Sequence, residues 1–127
     1  MPDASPRYKK IPRPESVSQL IRSLESRSLT IIRNGSQNLL IKRGSLSDLV
    51  AHTTNIYIFS VSDYEEAVAD APDIRAIISM SAWNSYTPEV KVHGKENGVG
   101  IFSFREFLGA VNYDGKKFLD YRLPEDR

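Results

Sequence analysis

Residues 74–112, IRAIISMSAWNSYTPEVKVHGKENGVGIFSFREFLGAVN, constrain the fold more than any other part of the chain. An apolar run over 74–81 leads to Thr87, a helix-capping residue, and then to Pro88, which suits the first helical position. Asn97-Gly98 supplies a helix stop, and a second apolar run over 99–104 leads into a short helix at 106–111. Strand, crossover helix and strand make a βαβ unit, the connection that joins parallel strands. The near-continuous apolar character of 74–81 suits a central strand covered on both faces. One conflict lies inside the crossover helix. Val90-Lys91-Val92-His93-Gly94 alternates like a strand and contains a glycine, so its helix propensity is poor. The caps and the spacing outweigh it.

The first half supplies further elements. Residues 1–14 hold four prolines (Pro2, Pro6, Pro12, Pro14) and four basic residues, which predicts a flexible basic arm. Val17, Leu20, Ile21 and Leu24 then fall on one helical stripe. Two β-favouring runs, 29–33 and 38–43, flank Asn34-Gly35, a strong hairpin signal. Residues 46–51, opened by Ser45 or Ser47, read as a short helix, and 55–61 (NIYIFSV) as a buried strand. Ser62-Asp63-Tyr64-Glu65 has the form of a capping box and opens a helix that runs to Asp70 and is stopped by Pro72. Asp114-Gly115, between 110–113 and 117–123, predicts a terminal turn or small hairpin, and the final PEDR frays. The expected order is α-β-β-α-β-α-β-α-β-α. It forms one α/β domain at 15–112 with a mixed, partly parallel sheet flanked by helices, followed by a C-terminal turn and tail at 113–127.

Composition narrows the chemistry. The 127 residues contain no cysteine, which excludes disulfides, thiol catalysis and Cys-type zinc or iron–sulfur sites. No run approaches the length of a membrane span and the N-terminus lacks a signal-peptide apolar region, so a cytoplasmic protein without membrane contact is expected. Charge is uneven. Residues 1–43 carry nine basic and three acidic residues, the remainder eight and thirteen. A basic arm beside an acidic body fits contact with phosphates or with an acidic partner surface, and equally a solvated terminus that binds nothing.

In a parallel sheet, ligands sit at the loops that follow the strands. Those loops are expected at 62–63, 81–87 and 103–105. The middle one, Ser81-Ala82-Trp83-Asn84-Ser85-Tyr86-Thr87, is the richest. Trp83 and Tyr86 could stack on a base and Asn84 could hydrogen-bond, or the two aromatics could pack as lids over the core. His52 and His93 have no metal-binding spacing. Asp63, Glu65, Glu66, Asp70 and Asp73 could hold magnesium in pairs, but their helical spacing reads better as a solvated face, with Glu65 as a cap. No P-loop, GxGxxG or GxSxG motif occurs.

The segment 76–111, AIISMSAWNSYTPEVKVHGKENGVGIFSFREFLGAV, resembles the C-terminal half of restriction-endonuclease-like domains of the Mrr type. The shared features are a strand ending in small and hydroxyl residues, a threonine-started helix, an Asn/Gly stop before an apolar strand, and a closing helix. The resemblance implies a restriction-endonuclease-like fold, the alternative to a Rossmann-like one, with a core of helix, β-hairpin with strands, helix and strands. It also implies magnesium-dependent DNA cleavage by an Asp and an E-x-K or Q-x-K strand. Residues 38–42 match that strand. Lys42 stands at the motif lysine as the one catalytic candidate, but Leu40 stands where the Glu or Gln belongs. No Asp or Glu lies between Ser26 and Arg43.

The expectation is therefore a nucleic-acid-associated domain without nuclease activity and with no cofactor, magnesium entering only for a residual nuclease. Lys9, Lys10, Arg13, Arg33, Lys42 and Arg43 would meet DNA or RNA phosphates with steep salt dependence, and Trp83, Asn84 and Tyr86 would meet the bases. The alternative is a homo-oligomeric protein-interaction or regulatory module that binds no nucleic acid.

Overall fold

The computed structural model describes residues 10–127. Helix α1 (Pro14–Glu25) turns its Val17, Leu20 and Leu24 inward. The hairpin strands β1 (Thr30–Asn34) and β2 (Asn38–Lys42) follow, then β3 (Leu49–Thr54) and the short β4 (Ile58–Phe59). Helix α2 (Val61–Asp70), β5 (Ala76–Ser79) and the short β6 (Ser85–Tyr86) come next. Helix α3 (Pro88–Glu96), β7 (Gly100–Ser103), α4 (Phe104–Ala110) and α5 (Gly115–Leu119) complete the elements, apart from a 3-10 turn at Pro124–Asp126.

The main sheet has the order β1-β2-β3-β5-β7. Its first two pairings are antiparallel, and β3–β5 and β5–β7 are parallel. A separate two-stranded parallel sheet pairs β4 with β6. The expected mixed, partly parallel sheet between helix layers is thus what forms. Neighbouring strand residues point to opposite faces, so the sheet needs apolar residues at consecutive positions of β5. Ile78 joins a cluster with Leu20, Leu24, Phe102, Phe107 and Phe118 beneath α1, α4 and α5. Ile77 joins a second cluster with Phe59, Tyr64, Val90 and Ile101 beneath α2 and α3. Burying each such side chain contributes about 1.5–3 kcal/mol.

Four local readings need correction. Residues 46–51 are not a helix, because Leu49–Thr54 form β3, the middle strand of the sheet, held on both sides by ladders. With that place taken, 55–61 cannot be a core strand. Only Ile58–Phe59 pair, with Ser85–Tyr86, and Tyr57 and Ile58 stay exposed. Helix α2 starts two residues early: the Asp63 carboxylate, not Glu65, accepts the Ser60 backbone N–H at 2.9 Å. The terminal segment is helical rather than a hairpin, since Asp114 takes the cap position of α5 and Phe118 packs edge-on to Phe102 at 5.1 Å. The basic arm read at 1–14 falls largely on residues 1–9, outside the described residues. At its end, the Lys10 carbonyl accepts the Asn55 N–H at 2.8 Å and the Gln37 side chain at 3.1 Å.

The awkward glycine of α3 has a packing reason. A Cβ at Gly94 would stand 2.6 Å from the Val99 carbonyl oxygen and 2.9 Å from Ile101 Cγ1. The Gly94 carbonyl itself accepts the Val99 N–H at 2.8 Å, while Gly98 N–H bonds the Lys95 carbonyl at 3.1 Å with Gly98 at φ +76. That is a Schellman stop, and it turns the chain directly into β7. Propensity alone predicts that Gly94→Ala stabilises the helix by about 1 kcal/mol. We expect the opposite, a loss of about 1–3 kcal/mol from overpacking in urea denaturation.

Candidate functional site

β3, β5 and β7 end on the same edge of the sheet, and the chain leaves each at Asn55, Met80 and Phe104. Asn55 organises that edge. Its Oδ1 accepts from Ser81 Oγ at 3.1 Å and from Asn84 Nδ2 at 3.0 Å. Asn84 Nδ2 also donates to the Met80 carbonyl at 2.8 Å. Ser81 is held at φ 72, a left-handed conformation that costs a non-glycine residue energy and needs such fixing. The result is a tight, tethered turn that pushes Trp83 outward.

Trp83 is 61% exposed and does not pack as a lid. The Arg13 guanidinium lies over its ring, 5.9 Å from the centroid. Arg13, Trp83 and Asn84 form a wall shared by two cavities. One, of about 480 Å³, is lined also by Ser16, Gln19, Phe104, Arg105 and Leu123. The other, of about 820 Å³, is lined also by Lys10, Asn55, Tyr57 and Asp63. Tyr57, at 66% exposure, is a second open aromatic on the rim. The cleft offers flat apolar faces, amide and hydroxyl groups, and the cations of Lys10, Arg13 and Arg105. Lys10 is paired with Glu66, and Arg105 reaches Glu125 at 3.3 Å.

The other residues singled out from the sequence lie elsewhere. Lys9 is outside the described residues. Arg33 is exposed on the outer strand β1 and lines neither cavity. Lys42 pairs in register with Thr30 at the far end of the hairpin, and its Nζ meets Asp48 at 3.2 Å. Arg43 is buried with all five N–H donors used by the protein. They go to the Ser47 carbonyl (2.8 Å) and hydroxyl (3.3 Å), the Val111 (3.1 Å) and Tyr113 (2.7 Å) carbonyls, and the Asp114 carboxylate (2.9 Å). Tyr86 turns away from Trp83. Its hydroxyl donates to Glu106 at 2.8 Å, and burial together with that carboxylate holds its pKa well above the usual range. Beside it, Lys91 donates to the Ile101 carbonyl on the outer edge of β7, and burial lowers its pKa to about 8.

His52 lies within β3, in register with Asn38 on one side and Ile77 on the other. Its Nδ1 lies 2.7 Å from Asn38 Oδ1 and its Nε2 faces the Gln37 amide at 3.5 Å. Burial dominates its titration, lowering the pKa to about 4, with Asp70 opposing and Lys10 adding to the shift. His93 packs edge-on against Tyr64 at 5.0 Å. Among the described residues no group of three His, Asp or Glu side chains could hold a metal ion. No helix among them is long and apolar enough to cross a membrane. The chain matches no protein-family model, no curated protein and no solved structure.

Asn55 and Tyr57 line this site without a signal as site residues in the sequence, while Arg105 falls in the 103–105 loop that strand-end logic places at this edge. Asn55 follows β3 directly, whereas the sequence pattern puts it at the start of a strand over 55–61.

Two outcomes follow from the placement of Arg43 and His52. Arg43→Ala strands three backbone carbonyls (Ser47, Val111 and Tyr113) and takes the charge partner from Asp114, and should lower the urea-unfolding free energy by about 3–5 kcal/mol; an unchanged midpoint would remove the structural role. For His52, the unfolded chain takes up a proton near pH 6.5 and the folded chain only near pH 4. Stability therefore falls as pH drops through that window, by roughly 2–3 kcal/mol, and His52→Gln should flatten that part of the pH–stability curve.

Proposed function

We propose that the strand-end cleft binds nucleic acid, on a nuclease-like fold that does not carry out cleavage. The observation that carries the reading is Trp83. A large aromatic held outward by a tethered turn, between two cavities and beside an arginine, is what base stacking with phosphate contact requires. The nuclease-like part is supported by the element order. Helix α1, the β1–β2 hairpin, β3, helix α2 and the parallel strands β5 and β7 follow the core that the resemblance implies. The lack of cleavage rests on β2 and β3. Neither bears a carboxylate, and Lys42 lies at the opposite end of the hairpin from the cleft.

The hairpin cations drop out of the electrostatic footprint, because Arg43 serves the interior and Lys42 points to the wrong end. Among the described residues three cations, Lys10, Arg13 and Arg105, remain at the cleft. A three-phosphate contact gives a salt slope of about −2 for a single strand, not the steep dependence that the whole basic set would give. Fluorescence anisotropy with labelled DNA and RNA should show binding at low salt, and Arg13→Gln should flatten the slope by about 0.7. The same samples with magnesium or manganese should run uncleaved on a gel. No shift with any oligonucleotide would overturn the reading.

One observation favours a second reading, an assembly of identical copies. Ile32 is 46% exposed on β1, the outer strand of the sheet, and neighbours Leu40 and Val50 across the ladder. Light scattering decides whether that edge pairs in solution.

A further inference from the structure

We propose that the ligand of this cleft is a single strand, laid across the Trp83–Arg13 wall so that an unpaired base enters the cavity on each side. The inference rests on the nucleic-acid reading and names the form of the ligand.

Three features separate a single strand from a duplex. First, the stacking surface is a side chain standing between two concave spaces of about 480 and 820 Å³, each roomy enough for a base. In a duplex the base faces are covered by their neighbours, so only an unstacked base can reach an aromatic in that position. Secondly, side-chain amides line both spaces, with Asn55 Nδ2 and Asn84 Oδ1 lying outside the hydrogen bonds that fix the turn. Asn84 and Asn55 line the larger cavity, and Ser81 and Asn84 the smaller. Thirdly, the cations are few and sit at the two mouths, Lys10 on one side and Arg105 on the other, with Arg13 on the wall between them. Among the described residues that spacing follows one backbone passing over a ridge and forms no continuous basic face for two.

The turn is also fixed in advance. The Asn55 side-chain oxygen Oδ1 ties Ser81 and Asn84 together, and Ser81 holds its left-handed backbone. Trp83 thus has little freedom left to lose when a base stacks on it.

Because Trp83 is the only tryptophan, its fluorescence reports this site alone. The full chain is titrated with a twelve-nucleotide oligothymidylate, with the same strand annealed to its complement, and with thymidine monophosphate. The expected result is quenching by the single strand, at least tenfold tighter binding than the duplex, and weaker quenching by the mononucleotide. By anisotropy, Trp83→Ala should weaken single-strand binding at least tenfold and Trp83→Phe only a few-fold, with far-UV circular dichroism and urea midpoints unchanged. Duplex binding as tight as single-strand binding, without quenching, would overturn the single-strand inference and leave the nucleic-acid reading standing. Single-strand binding that Trp83→Ala leaves unaltered would overturn the inference and move any nucleic-acid binding away from this cleft. Absence of binding to all three probes would remove both.

Discussion

The parallel ladder between β3 and β5, running from Ala51–Ala76 to Thr54–Ser79, is the seam on which the rest of the molecule depends. It joins an N-terminal half that is antiparallel to a C-terminal half that is parallel. It also fixes which way both point. Because β3 and β5 run together, Asn55 and the Ser81–Asn84 turn emerge at the same edge, close enough for one side-chain amide to tie them. Reversing either strand would send one of these segments to the opposite end and dissolve the cleft. The helices follow from the same seam, since Ile77 and Ile78 require cover on both faces.

A second constraint operates at the opposite end. Arg43 follows the β2 strand and gathers the 43–47 loop, the end of α4 and the cap of α5 around one buried guanidinium. A buried charge is costly, and it is tolerable here because every donor has an acceptor and Asp114 carries the opposing charge. Asp114 accepts from the Ser47 backbone and hydroxyl as well, and these bonds hold its pKa below the usual carboxylate range. The charge that a sequence reading assigns to phosphate thus closes the C-terminal segment onto the hairpin. The two ends of the sheet divide the work, one holding the chain together and the other presenting an open aromatic cleft.

Legibility in the sequence tracks how local the determining interaction is. The hairpin, α1, β5, α3 with both its caps, and β7 were readable because turn residues, stripes and stops lie within a few positions of the elements they define. β3 was missed although it is the middle strand. Its six residues, LVAHTT, are short and follow serines that look like helix caps, and its two ladders come from distant strands. That one error displaced the next segment into a strand and hid Asn55 as a strand-end residue. The site was legible in part: strand-end logic found Trp83 and Asn84, while a basic count could not tell Arg13, which reaches the cleft, from Arg43, which is buried.

The sequence by itself determined the mixed α/β class, the βαβ crossover, and the absence of an acidic pair on the hairpin, because each depends on residue types at fixed short spacings. Tertiary structure alone decided which cations face solvent, that Tyr86 binds Glu106 while Trp83 stands free, and that Gly94 is required by β7. These are matters of which surfaces meet across long chain separations, and a linear pattern carries residue identity without that proximity.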